Sequence, residues 1–159
     1  ISDAQNLLRF LKVVGGETDN LTFGSDGVNL SLKEEENLIS NYLTKKEGAF
    51  LIAKIGDDII ASSGAFLYKD RPRLRHILDF GIAIKQDYCG KGLGSKLMDK
   101  ILEISKYRGY KRIQLSVRSD NIRAINLYLK KGFEIEGKFK QSLKIGNNYY
   151  DEYVMSKIL

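Results

Sequence analysis

Three glycines at alternate positions, Gly90, Gly92 and Gly94, separate an apolar strand pattern (Leu78, Phe80, Ile82, Ile84) from a helical pattern that opens at Ser95. A loop of this kind can bind an anion. Its glycines let the main chain turn tightly without shielding its amides, and the first turn of the following helix adds unpaired N–H groups and the positive end of its dipole. Lys91 and Lys96 put positive charge beside it. The same strand-to-helix turn also serves as plain structural punctuation. A second constellation lies downstream, where Asn121, Ala124 and Tyr128 fall at i, i+3 and i+7 and share one helix face. Asn121 also reads as a simple helix cap, and Tyr128 as a half-buried aromatic with a satisfied hydroxyl.

The elements that must position these groups follow from periodicity. After the glycine loop, Leu93, Leu97, Met98, Ile101, Leu102 and Ser105 keep helical spacing as far as Arg108-Gly109. Residues from Arg112 to Val117 then alternate, with Ile113, Leu115 and Val117 on one face. Strand, helix, strand with this crossover implies a parallel pair joined right-handedly, and ligands in such sheets sit beyond the carboxyl ends of the strands. Those ends are Ile84 and Arg118. A further helix runs from a cap at Asp120 or Asn121 to Gly132, and two strands around Ile145-Gly146-Asn147-Asn148 form a closing hairpin.

The first half is less informative. Ser2 and Asp3 look like a cap before an amphipathic helix carrying Leu7, Leu8, Leu11 and Val14, and the chain begins so close to it that an earlier strand is expected to be missing. Residues from Gly15 to Leu30 hold no period and read as a long loop, of a length that is more often functional than idle. Ser31 and Glu34 form a capping box that opens a second helix through Leu38, Ile39, Tyr42 and Leu43. Ala49–Ile55 and Ile59–Leu67 read as a hairpin around Gly56-Asp57-Asp58. Arg71, Arg73 and Arg75 cluster about Pro72, which suits either an acidic substrate or a solvated turn. His76 reads as a surface group.

Composition narrows the classes. At 159 residues, 43% apolar and 29% charged, the chain fits one soluble α/β domain spanning 1–159. No run reaches membrane-span length and no secretory leader is evident. With one cysteine and one histidine there is no internal disulfide and no zinc constellation, so no metal is expected and a cytoplasmic location is the simplest reading. A net charge of +6 suits an anionic partner, whether nucleic acid, phosphorylated cofactor or acidic surface.

The runs IAIKQDYCGKGLGSKLM and LSVRSDNIRAINLYLKKGFEIEG resemble the two signature segments of the GNAT superfamily of acetyl-CoA-dependent N-acetyltransferases, closest to bacterial members similar to the ribosomal-protein N-terminal acetyltransferases. The match covers the second half of the chain, and the first half fits in element order only. The resemblance implies a mixed, mostly antiparallel central sheet with a splayed parallel strand pair and flanking helices. It implies acetyl-CoA as cosubstrate, its pyrophosphate on the amides of Gly90, Lys91, Gly92, Leu93, Gly94 and Ser95. Ile82, Ala83 and Ile84 would offer free backbone groups to the pantetheine arm, and Asn121 would contact it. Tyr128 would stand near the thioester sulfur as general acid toward the departing thiolate. Cys89 occupies a position where the family pattern has arginine or glutamine.

The implied reaction is attack of a neutral amine on the thioester carbonyl, with an N–H of Ile82 or Ile84 stabilising the oxyanion. Tyrosine, with an ordinary pKa near ~10, is a weaker acid than a thiol near ~8.5, so Tyr128 is expected to donate a hydrogen bond and pass its proton late. Related N-terminal acetyltransferases have a glutamate where this chain has Ser116. Deprotonating an α-amine of pKa about 7.8 at pH 7 costs about 1 kcal/mol, against about 4.6 kcal/mol for a lysine amine. A site with no evident base therefore suits a weakly basic amine. Glu17, in the long loop, is a remote candidate base or an exposed carboxylate, and Asp79 is another whose face alternation does not fix. The expected acceptor is a protein N-terminus, with a polyamine, amino sugar or antimetabolite as the small-molecule alternative and a homodimer allowed. A non-catalytic acyl-CoA or nucleic-acid binding module is the rival class; the charge of +6 and nine tyrosines suggest nucleic acid, while the spread of lysine and arginine and the lack of an evident aromatic stacking strip disfavour it.

Overall fold

In a computed structural model describing residues 1–45 and 47–159, six strands form one sheet in the order β1-β2-β3-β4-β6-β5. The strands are β1 (Ala49–Ile55), β2 (Asp58–Leu67), β3 (Ile77–Ile84), β4 (Arg112–Arg118), β5 (Glu134–Ile145) and β6 (Asn148–Ile158). All neighbours are antiparallel except β3 and β4. Four helices flank the sheet: α1 (Ala4–Glu17), α2 (Leu32–Lys45), α3 (Leu93–Tyr107) and α4 (Ile122–Lys130). Among the described residues, no helix is long and apolar enough to cross a membrane.

Alternation along the strands gives the sheet two apolar faces. Leu78, Phe80, Ile113, Leu115 and Val117 pack with Met98 and Ile101 of α3 and with Ile125 and Tyr128 of α4. On the opposite face Ile59 and Ala83 pack with Leu7, Phe10 and Val14 of α1. The expected crossover is present, but the parallel pairing is brief. Ile77, Leu78 and Asp79 pair with Arg112, Ile113 and Gln114, and the ladder stops there. Each strand keeps its other neighbour, β3 as far as Ile84 on β2 and β4 as far as Arg118 on β6. The two strands therefore part like a V above Asp79.

Three local expectations change. Helix α1 continues through Gly15 and Gly16 to Glu17, so the loop is shorter than the glycine-rich composition suggests. Gly15 is needed there for close approach, since a Cβ at that position would sit 2.0 Å from the carbonyl oxygen of Gly24. Asp3 holds the N-cap position of α1 without capping it, because its carboxylate is taken by Lys54 of β1 at 2.6 Å. Helix α3 starts at Leu93, two residues before the predicted Ser95, with Gly92 at φ +82° as its N-cap. The capping box of α2 forms as expected: the Ser31 N–H donates to Glu34 at 2.8 Å, and the Glu34 N–H donates to the Ser31 hydroxyl at 3.3 Å.

Candidate functional site

The open V carries the chemistry. The Lys85 N–H donates to the Ile60 carbonyl, and the Ile77 carbonyl accepts from the Tyr68 N–H, so odd-numbered residues of β3 turn their main-chain groups toward β2. Peptide groups alternate along a strand, so Ile82 and Ile84 turn theirs toward β4, which has already swung away. That edge is a row of strand groups without a strand partner, and the Cys89 thiol reaches the Ile84 carbonyl at 3.7 Å.

A cleft of about 560 Å³ opens along this edge. Its walls include Ile82, Ile84, Gly90, Gly92, Gly94, Ser95, Asn121 and Tyr128. These are eight of the residues expected from sequence. Three others lie outside the lining. Ala83 is buried on the opposite face among α1 residues, and Lys91 and Leu93 flank the loop, with the Lys91 ammonium 5.5 Å from the centre of the Tyr88 ring. At Gly92 a Cβ would meet nothing within 4 Å, and Gly92, Gly94 and Ser95 at the start of α3 all line the cleft. At Gly94 a Cβ would come within 3.2 Å of Ile84, which keeps helix and strand close.

Asn121 caps α4, its Oδ1 accepting the Ala124 N–H at 3.2 Å. The cap uses the oxygen and leaves the side-chain amide group to donate elsewhere. Tyr128 is 7% exposed, edge-on to Phe80 (ring centres 6.2 Å apart) and tilted against Phe133 (5.9 Å). Burial pushes its hydroxyl up to about 12.

Arg123, which sequence reading passed over, also lines the cleft, its guanidinium lying against Gly90. It sits two residues beyond Asn121, on the first turn of α4, and only the approach of α4 to the glycine loop reveals it. Glu17 ends α1 and accepts the Gln86 N–H at 2.8 Å, tying that helix to the loop while remaining in the cleft wall. Asp79 sits at the root of the V, accepting from Gln114 at 2.9 Å, with its carboxyl raised by burial. It lines neither this cleft nor the cavity described next, and neither does Ser116.

A second cavity, of about 380 Å³, lies across β3 beneath α1 and α2. Its floor is made of small residues, Ser62 and Gly64 of β2 against Ala83 and Gly81 of β3. Tyr42, Phe50 and Phe66 form an aromatic wall with ring centres 5.3–6.1 Å apart. Glu35 enters from α2, 6% exposed, and burial raises its carboxyl above the ordinary range. Burial, and secondarily the charge of Glu35, raises the Tyr42 hydroxyl as well. Ile82 is the one described residue that lines both cavities. Sequence reading did not single out Glu35, because the run Glu34-Glu35-Glu36 looks like an ordinary solvated helix start.

A glycine loop, a helix N-terminus and a strand edge without a strand partner thus lie along one cleft. Residues 20–133 match the Acetyltransferase (GNAT) family, and the chain belongs to that family of acetyl-CoA-dependent N-acetyltransferases. It is 35% identical over 109 residues to the L-amino acid N-acetyltransferase AaaT of Escherichia coli (strain K12), a stretch covering 68% of this chain and 67% of that protein. Its fold matches the GNAT-family acetyltransferase from Streptococcus pneumoniae with a TM-score of 0.94 and 33% identity, over 99% of this chain and 94% of the other. The likeness to a ribosomal-protein N-terminal acetyltransferase is one of fold. The ribosomal-protein-alanine N-acetyltransferase from Brucella melitensis superposes with a TM-score of 0.86 over 99% of this chain and 95% of that one, at 19% identity.

Proposed function

We propose that residues 1–159 act as one domain that moves acetyl from acetyl-CoA to the primary amine of a small molecule. The observation that carries this is the V above Asp79, where unpaired main-chain groups of Ile82 and Ile84 share a cleft with the glycine loop and Tyr128. In this reading the amides from Gly90 to Ser95 hold the pyrophosphate, assisted by Lys91 and Arg123. Ile82 and Ile84, with the Ala83 backbone between them, pair with the pantetheine arm as an added strand would, and Asn121 donates to it through its side-chain amide.

The chain's groups then divide the work. An N–H of Ile82 or Ile84 donates to the oxygen of the thioester carbonyl as charge develops there. Tyr128 donates a hydrogen bond to the sulfur. With its hydroxyl at about 12 and a thiol near ~8.5, full proton transfer from Tyr128 would be uphill by roughly 5 kcal/mol. Tyr128 is therefore a donor that stabilises the thiolate rather than an acid that neutralises it.

A small molecule is preferred to the protein N-terminus expected from sequence. The 35%-identical relative is named for L-amino acids, and the cavity beyond Ile82 is compact. The test is to titrate acetyl-CoA into the protein by calorimetry and then follow thiol release with pooled amines and peptides. Binding with amine-dependent thiol release is expected; absence of both would refute the reading.

A further inference from the structure

We infer that the cavity beneath α1 and α2 is the acceptor pocket, and that it takes a primary amine with an apolar body and no carboxylate, its cationic nitrogen received by Glu35. The inference rests on the acetyltransferase reading above and goes on to name the kind of amine.

Position comes first. The cofactor cleft and this cavity lie on opposite faces of β3 and have Ile82 in common. An acceptor lodged here approaches from the α1–α2 side, and a thioester held along the other face of the same strand approaches at Ile82. The pocket exists because side chains are missing. Gly81 is exposed in the middle of a central strand, and a Cβ there would meet nothing within 4 Å. Its cross-strand partner Gly64 is overlain by the Phe66 ring, which turns the floor into a shallow trough with an aromatic side.

Charge then selects the occupant. Among the described residues lining the cavity, Glu35 is the only one carrying a carboxylate, and none is lysine or arginine. Among the described residues, the Glu35 carboxylate has no salt-bridge or hydrogen-bond partner. An unpaired carboxylate in a cavity walled by three aromatic rings is a receptor for an ammonium group, by direct pairing and by cation–π attraction, and by taking one of its protons it leaves the neutral amine that attacks the thioester. The same carboxylate repels an anionic group, and no cation among the described lining residues offsets that. A free amino acid would bring its own carboxylate into this field. The pocket thus favours amines in which that group is absent or masked, which departs from what the name of the AaaT relative suggests.

The test compares three acceptors with one side chain: L-phenylalanine, L-phenylalanine amide and phenethylamine. The amide is less basic than the acid and phenethylamine is more basic, so a preference for both over the acid cannot come from amine basicity. The expected result is kcat/KM at least tenfold higher for each carboxylate-free member. In Glu35→Gln the acceptor KM should rise tenfold or more, and the preference should shrink to within threefold. Gly81→Leu should fill the trough and abolish acceptor saturation, with Gly81→Ala as the milder form should the larger side chain prevent folding. Acetyl-CoA affinity should stay at the wild-type value in all three variants, which also reports that they fold.

The inference is overturned if phenylalanine is the best of the three, or if Glu35→Gln leaves both KM and the preference unchanged. It is also overturned if the protein binds acetyl-CoA yet acetylates none of them. Failure to bind acetyl-CoA at all would instead count against the acetyltransferase reading.

Discussion

On one face of β3 the proposed cofactor cleft is built from main chain: the amides at the start of α3 and the edge of Ile82 and Ile84 that has no strand partner. On the other face the proposed acceptor cavity is built from side chains, an aromatic wall and a carboxylate over a floor where side chains are lacking. Main-chain recognition needs only that nothing blocks the backbone, and that requirement is written locally as glycines. A side-chain pocket needs residues from α1, α2, β1, β2 and β3 to converge, and no single stretch records it. The first arrangement suits a ligand shared by a family. The second suits one that differs from member to member.

The largest effects should come from blocking main chain on the cofactor side. Gly92 has φ +82°, a region where a β-branched residue is strained, and it is the N-cap of α3, so strain there displaces the first turn of that helix. Gly92→Val should weaken acetyl-CoA binding by ~100-fold or more, about 2.7 kcal/mol, as read by calorimetry. Wild-type affinity in that variant would mean that the phosphates lie elsewhere. Next comes Tyr128→Phe, which keeps the ring packed on Phe80 and Phe133 and removes only the hydroxyl. Turnover should fall by roughly 30-fold, about 2 kcal/mol, with acetyl-CoA affinity unchanged. Because burial holds that hydroxyl at about 12, the wild-type rate should show no alkaline loss from Tyr128 below about pH 10.

A smaller change separates the two faces by their response to salt. The Arg123 guanidinium lies against the glycine loop and is exposed. Arg123→Ala should raise the acetyl-CoA dissociation constant about fivefold at low ionic strength. The gap should close near 1 M salt, where charges more than a few ångströms apart are screened. The acceptor KM should not follow. A gap that persists at high salt would assign Arg123 a direct contact rather than a field effect.

The same contrast explains what could be read from sequence. The strand, glycine loop, helix and strand from Ile77 to Arg118 were legible because each step leaves a local mark: alternation, then glycines, then a 3.6-residue period. The cap at Asn121 and the faces of Ala124 and Tyr128 followed from helical spacing alone. Gly15 and Gly16 were misread as loop because composition cannot distinguish a flexible glycine from one that lets a carbonyl approach a helix. Asp3 takes the N-cap position that its spacing suggests, but its carboxylate goes to Lys54, a partner 51 residues away that no local pattern records. Glu35 was invisible for the strongest reason. Three adjacent glutamates face three environments: Glu34 closes the capping box, Glu36 lies 3.8 Å from Lys33, and Glu35 alone turns inward.

That inward turn should be visible in stability even without substrate. The Glu35 carboxyl is raised by burial, so the folded chain holds its proton more tightly than the unfolded chain, where it titrates near ~4.3. The stabilisation contributed by protonation is full below the unfolded value and is lost as pH rises through the folded one. Above that window the protein carries a desolvated carboxylate with no described partner. Glu35→Gln should therefore melt higher than wild type at pH 7, and the difference should vanish toward pH 4. Saturating phenethylamine should raise the wild-type melting temperature more than that of the variant, because only the wild type pairs the bound cation. Destabilisation by Glu35→Gln at both pH values would show that the carboxylate is held by a protein partner. The face opposite the cofactor would then be ordinary core rather than a pocket that gives up stability to bind.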